Sequence, residues 1–132
     1  MIALIAFCLL SQEIKSPADI KIIFANANGE TKTEKALNGV EEVCKRILKE
    51  VTESKLVKED DKKKLDQSFQ DVSKSFNDAR KDKKPESYSY AIGKMSFYFR
   101  VVLRIIPNQP FQGNTAESLR NICFDQMDAA RK

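Results

Sequence analysis

Cysteines and paired carboxylates are the residues in this chain whose types suit nucleophilic, metal-binding or acid–base chemistry. There are three cysteines, Cys8, Cys44 and Cys123. A serine or cysteine nucleophile needs a base held beside it, most often His, and the chain contains no His. The same absence removes His-containing zinc sites, and Cys44 and Cys123 alone are too few for an all-thiolate site. Glu41-Glu42 and Asp60-Asp61 are adjacent acidic pairs, but acid–base work needs a cleft and a controlled separation. On helices these pairs project outward among lysines. Glu59-Asp60-Asp61-Lys62-Lys63 lacks the alternating ligands of a calcium loop. Asn28-Gly29, Asn38-Gly39 and Gln112-Gly113 are isolated turn or cap signals with no phosphate cradle around them. The expectation is a protein that is not an enzyme and uses no metal or cofactor.

Two clusters have the chemistry of binding instead. Tyr88, Tyr90, Phe97, Tyr98 and Phe99 crowd one segment, with Met95 among them. Such a set is ordinary core with amphipathic tyrosine edges, a wall for an apolar ligand, or an anchor patch for a protein partner. Tyr88, Tyr90, Met95, Tyr98 and Phe99 are therefore the candidate ligand or partner surface. Arg80-Lys81-Asp82-Lys83-Lys84-Pro85 is a basic turn. It is either a solvated connection or a contact for an anionic partner, such as a sulfated glycan or an acidic lipid surface, through Arg80, Lys81, Lys83 and Lys84. The net charge of +4 is spread along the chain. A nucleic-acid binder concentrates a larger excess, so no nucleic-acid partner is expected.

The compartment follows from the first residues. Met1 to Leu10 is an uncharged apolar run followed by Ser11-Gln12-Glu13, the length of a signal-peptide core and too short to cross a bilayer. Residues 1–12 are read as a signal peptide, residues 13–132 as one domain, and the destination as extracellular. No later segment is apolar for the length a membrane span needs. Loss of the leader removes Cys8 and leaves Cys44 and Cys123, an even pair suited to an oxidising compartment. Both lie mid-helix on apolar faces, so a Cys44–Cys123 disulfide is expected. It would close a loop of roughly 80 residues, worth about 4 to 5 kcal/mol in the chain-entropy model.

The elements that position these residues are helical. With 42% hydrophobic and 32% charged residues and only four glycines and four prolines, the balance is globular and poor in turns. Ser16-Pro17-Ala18-Asp19 starts a short helix over 17–27, with Gly29 as its stop; an edge strand at Ile20–Phe24 is the minor alternative. Ala36, Leu37, Val40, Val43, Cys44, Ile47, Leu48 and Val51 make the clearest three-and-four periodicity, a helix over 33–54. Asp60 or Asp61 caps a helix over 61–79 with a narrow stripe of Leu65, Phe69, Val72, Phe76 and Ala79, placed on the outside of the bundle. Tyr88 to Ile106 is apolar nearly all round, which predicts a central helix, stopped by Pro107. Asn108–Gly113 is a loop, and Asn114 caps a last helix over 115–130.

The fold expected is all-α, a small bundle of four main helices plus a short N-terminal helix. The function expected is a secreted, non-enzymatic binding protein acting on an extracellular protein partner, of effector or inhibitor type. The alternative is a carrier of a small hydrophobic ligand inside the bundle.

Overall fold

Helix formation begins with local caps and apolar stripes. The structure, a computed structural model, describes residues 17–106 and 116–132. The leader, the caps at Ser16 and Asn114 and the Asn108–Gly113 loop lie outside the described residues. Five helices occupy the described chain: α1 (Pro17–Asn26), α2 (Lys32–Glu53), α3 (Glu59–Asp82), α4 (Pro85–Ile105) and α5 (Ala116–Ala130). The all-α class and the count of four main helices plus a short first one are as expected, and Ile20–Phe24 is helical.

Each end has a local cause. Thr31 caps α2 by accepting from Glu34 N at 3.1 Å, and Glu34 Oε2 reaches back to Glu30 N at 3.1 Å. These two bonds satisfy donors that the first turn cannot use internally. At α3 the sequence reading needs correction. Lys58 holds the N-cap position without a side-chain bond, and Asp60 and Asp61 lie inside the first turn beside Glu59. There they meet the positive end of the helix dipole rather than capping it. The same helix runs to Asp82, three residues past the expected end. Lys83 then breaks it in the left-handed region (φ 56°), its N–H donating to Ala79 O at 3.0 Å. Pro85 opens α4 as expected, its missing N–H costing nothing at that position.

The helices close a ring in which α2 packs on α3, α3 on α4, α4 on α5 and α5 on α2, with α1 lying on α2. Short connections make chain neighbours antiparallel, so apolar stripes converge on one core. Val40, Ile47, Leu65, Phe76, Tyr98 and Leu119 are all fully buried in it. Tyr98 is central. Its ring stands edge-on to Phe69 and Phe99, at 6.2 and 5.7 Å between centroids. Its hydroxyl donates to Cys44 O at 2.8 Å, and that bond removes the cost of burying a phenol. Tyr88 ties α4 to α5 in the same way, donating to Met127 O at 2.7 Å.

Three glycines show how close the backbones come. Gly29 does not act through positive φ; a Cβ there would sit 2.8 Å from Lys35 N, where the chain folds back on the start of α2. Gly39 is no turn signal. It is buried inside α2 under the Phe24 ring, in space that a Cβ would occupy. Gly93 is mid-helix in α4 and exposed, and a Cβ there would meet nothing within 4 Å among the described residues. The same substitution should therefore have opposite signs at two helical positions. Gly39→Ala is expected to destabilise by about 1–2 kcal/mol through displacement of Phe24. Gly93→Ala is expected to stabilise by about 0.5–1 kcal/mol through lower backbone entropy in the unfolded chain. Urea unfolding of the two variants checks this, and a stabilised Gly39→Ala would contradict the α1–α2 packing.

Candidate functional site

The aromatic cluster of α4 divides between two faces. Tyr88, Met95, Tyr98 and Phe99 are buried and form part of the core. Tyr90 and Phe97 are 60% and 51% exposed. The expectation of a central helix is corrected accordingly: α4 is one wall of the ring, and its outer face carries Tyr90 and Phe97 beside the exposed Arg100 and Arg104. Along that face Tyr90, Gly93, Phe97, Val101 and Ile105 recur at three and four residues, which sets them in one stripe. Lys94 Nζ lies 5.3 Å above the Tyr90 ring centroid, within cation–π range.

Beside the stripe, α3 and α4 bound a groove of about 400 Å³. Phe97, Val101 and Ile105 form its apolar wall, and Asp61, Lys64 and Arg104 stand among its polar lining. Ser68 also lines it and is only 4% exposed, and its hydroxyl has no hydrogen-bond partner. A buried hydroxyl left unpaired costs about 1–3 kcal/mol. Ser75, two turns along the same face of α3, avoids that cost by donating to Val72 O at 2.9 Å.

A second cleft, of about 490 Å³, lies where the N-terminal ends of α2 and α4 meet the C-terminal ends of α3 and α5. It gathers the sequence candidates Arg80, Lys83, Lys84 and Tyr88, and adds Lys32, Arg131 and Lys132. Lys81 is exposed but lies outside the lining. Arg80 is already committed: it pairs with Glu41 and donates to Asn38 Oδ1 at 2.8 Å and Asn77 Oδ1 at 2.7 Å. Arg131 and Lys132 share Asp128, at 2.8 and 3.4 Å. These two cations, through hydrogen bonds above all, hold the Asp128 carboxyl below its ordinary range. Neither cleft is lined by Met95, Tyr98 or Phe99.

The expected Cys44–Cys123 disulfide is absent: both residues are free, buried thiols. Sharing the core is a weaker condition than a bond, which needs Cβ atoms about 4 Å apart and a defined torsion. Each thiol instead fills space as a small apolar group. Burial pushes both thiols well above the ordinary range, and the neighbouring Cys123 and Glu41 raise Cys44 further. That is the opposite of activation, which requires a lowered pKa.

Among the described residues no group of His, Cys, Asp or Glu side chains is placed to hold a metal ion, and no helix is long and apolar enough to cross a membrane. No protein-family model, curated protein or solved structure matches this chain.

Sequence reasoning missed Ser68, Gly93, Lys32, Arg131 and Lys132. Phe97, Val101 and Ile105 carried a readable signal, because they lie off the main stripe of α4. Lys32 and the Arg131–Lys132 pair are far in sequence from Arg80–Lys84, and only the closed ring brings them together.

The buried acids give a pH dependence. Burial, above all, raises Tyr88 to about 12, with Arg131 lowering it and Asp128 raising it. Tyr98 is also raised by burial. These phenols and the two thiols keep their protons in the folded chain at pH values where the unfolded chain releases them. Their stabilisation is complete below the unfolded values and is lost as pH rises toward the folded ones. The melting temperature is expected to fall from about pH 9 upward. Tyr88→Phe should start lower, having lost the Met127 bond, and fall less steeply. A melting temperature flat from about pH 8 to about pH 11 would contradict the burial of these groups.

Proposed function

We propose that this chain is a secreted, non-enzymatic binding protein that engages an extracellular protein partner, of effector or inhibitor type, through the outer face of α4. The apolar character of the leading ten residues supports the extracellular setting, and the composition supports a binding role: no His is available for acid–base or nucleophilic work.

The observation that carries the reading is Gly93. A mid-helix glycine costs about 0.5–1 kcal/mol relative to alanine, and among the described residues nothing comes within 4 Å of where its Cβ would stand. It lies between Tyr90 and Phe97, the two aromatic side chains of α4 that are left exposed. An open backbone flanked by two aromatic anchors suits a partner helix that approaches closely, with the glycine admitting it and the rings filling its grooves. Aromatic anchors inside a polar rim are the usual makings of a protein interface. Asp61, Lys64 and Arg104 supply that rim.

The test is comparative capture from the extracellular fluid of the secreting tissue, using wild-type protein and two variants. A partner retained by wild type is expected to be lost with Gly93→Leu, which fills the approach. It should be weakened at least about tenfold by Phe97→Ala, with both variants folded by circular dichroism. Equal recovery by all three proteins would overturn the reading. A homodimer that Gly93→Leu disrupts would also overturn it, by giving this face to a second copy of the chain.

A further inference from the structure

We infer that the cleft at the α3–α4 turn is a binding site for a compact organic anion, an apolar body bearing a carboxylate, sulfonate, sulfate or phosphate group. The site is distinct from the outer face of α4 and does not depend on the reading of that face.

The cations are unequal, and their inequality identifies the site. Arg80 is held by Glu41, Asn38 and Asn77, while Arg131 and Lys132 converge on Asp128. Lys32, Lys83 and Lys84 make no ion pair among the described residues, and all three are exposed at the cleft. They come from the start of α2, the end of α3 and the cap of α4. Among the described residues, these three ammonium groups without an ion pair surround one concavity. Glu34 is the carboxylate in the lining, and its Oε2 is already bonded to Glu30 N. Of the other acidic residues, Glu41, Asp82 and Asp128 are engaged with Arg80, with Ser87 Oγ at 3.1 Å, and with Arg131 and Lys132, while Glu30 and Glu86, next in sequence to the lining residues Thr31 and Pro85, are exposed.

The floor sets the class of ligand. The buried Leu37, Ala79 and Tyr88 form the apolar part of the lining, with the half-buried Ala130 and the exposed Pro85 beside them. At about 490 Å³ the cleft is within the range of small-molecule sites. An apolar floor under cations suits a molecule with an apolar body and one anionic end. A long sulfated polymer would instead follow a row of cations over the surface. Tyr88 is held in the lining by its bond to Met127 O.

Lys83 adds a second line of argument. It stands in the left-handed region, the position at which helices commonly end on glycine. A lysine there gives up stability that glycine would supply. Its retention places an ammonium group at the lip of the cleft.

The test uses 8-anilinonaphthalene-1-sulfonate as probe and its uncharged analogue, N-phenyl-1-naphthylamine, as control. The sulfonate is expected to bind, with amide shifts concentrated in Thr31–Glu34, Lys83–Ser89 and Ala130–Lys132. The uncharged analogue should bind at least about tenfold more weakly, having lost the charge-assisted contacts. Lys32→Ala and Lys84→Ala should each weaken the sulfonate several-fold. Lys83→Gly should weaken it while raising the melting temperature, so the loss cannot come from unfolding. Equal binding of the two probes would overturn the site, and so would shifts centred on Tyr90 and Phe97. Unchanged affinity in all three lysine variants would overturn it as well.

Discussion

The hydroxyl of Tyr98 is bonded to the main chain of α2 at the centre of the ring, and the orientation of α4 depends on it. A phenol is tolerated in a core only where its oxygen finds a partner, and Cys44 O provides one at 2.8 Å. That bond, with the edge-on contacts to Phe69 and Phe99, fixes the rotation of α4 about its own axis. With Met95, Tyr98 and Phe99 turned inward, helical geometry turns Tyr90, Gly93 and Phe97 outward. The outer face is a consequence of the core, and it carries Tyr90 and Phe97 beside the exposed Arg100 and Arg104 because α4 has more aromatic side chains than its core face buries.

The antiparallel ring has a second consequence. It brings the starts of α2 and α4 to the same end of the bundle as the finishes of α3 and α5. Cations suit the last turns of helices, which accounts for Arg80 and Lys81 at the end of α3. It does not account for Lys32 or Lys84, which stand at helix starts, where the dipole disfavours positive charge. The chain therefore concentrates cations at this end beyond what helix electrostatics would select. Glu41 and Asp128 offset some of them, and three lysines remain over an apolar floor.

Much of the fold was legible in the sequence. The stripe from Ala36 to Val51 gave α2 to within a residue at each end, because an amphipathic helix between a capping Thr and a charged connection has few alternatives. The end of α3 was not legible. Arg80 to Asp82 resemble a solvated turn, and only the pairing of Arg80 with Glu41 and Asn38 shows why the helix continues. The disulfide could not be settled either, since apolar spacing places a cysteine in the core without fixing which way its sulfur points. For the candidate sites, the sequence supplied Arg80, Lys83, Lys84 and the aromatic cluster. It could not supply Lys32, Arg131 or Lys132, which join them only through tertiary structure. Nor could it separate Tyr90 from Tyr88 and Tyr98, because exposure on α4 depends on which neighbours close over it.

The central claim is that α4 is two-faced, with one aromatic set locked in the core and another open to a partner. Hydroxyl-radical footprinting of the folded protein, read residue by residue by mass spectrometry, tests it most directly. The account predicts strong oxidation at Tyr90 and Phe97, and protection of Met95, Tyr98 and Phe99 until the chain unfolds. Protection of Met95 would be especially telling, because an accessible thioether oxidises readily. Oxidation of Met95 and Tyr98 at rates matching Tyr90 in the folded protein would contradict the account.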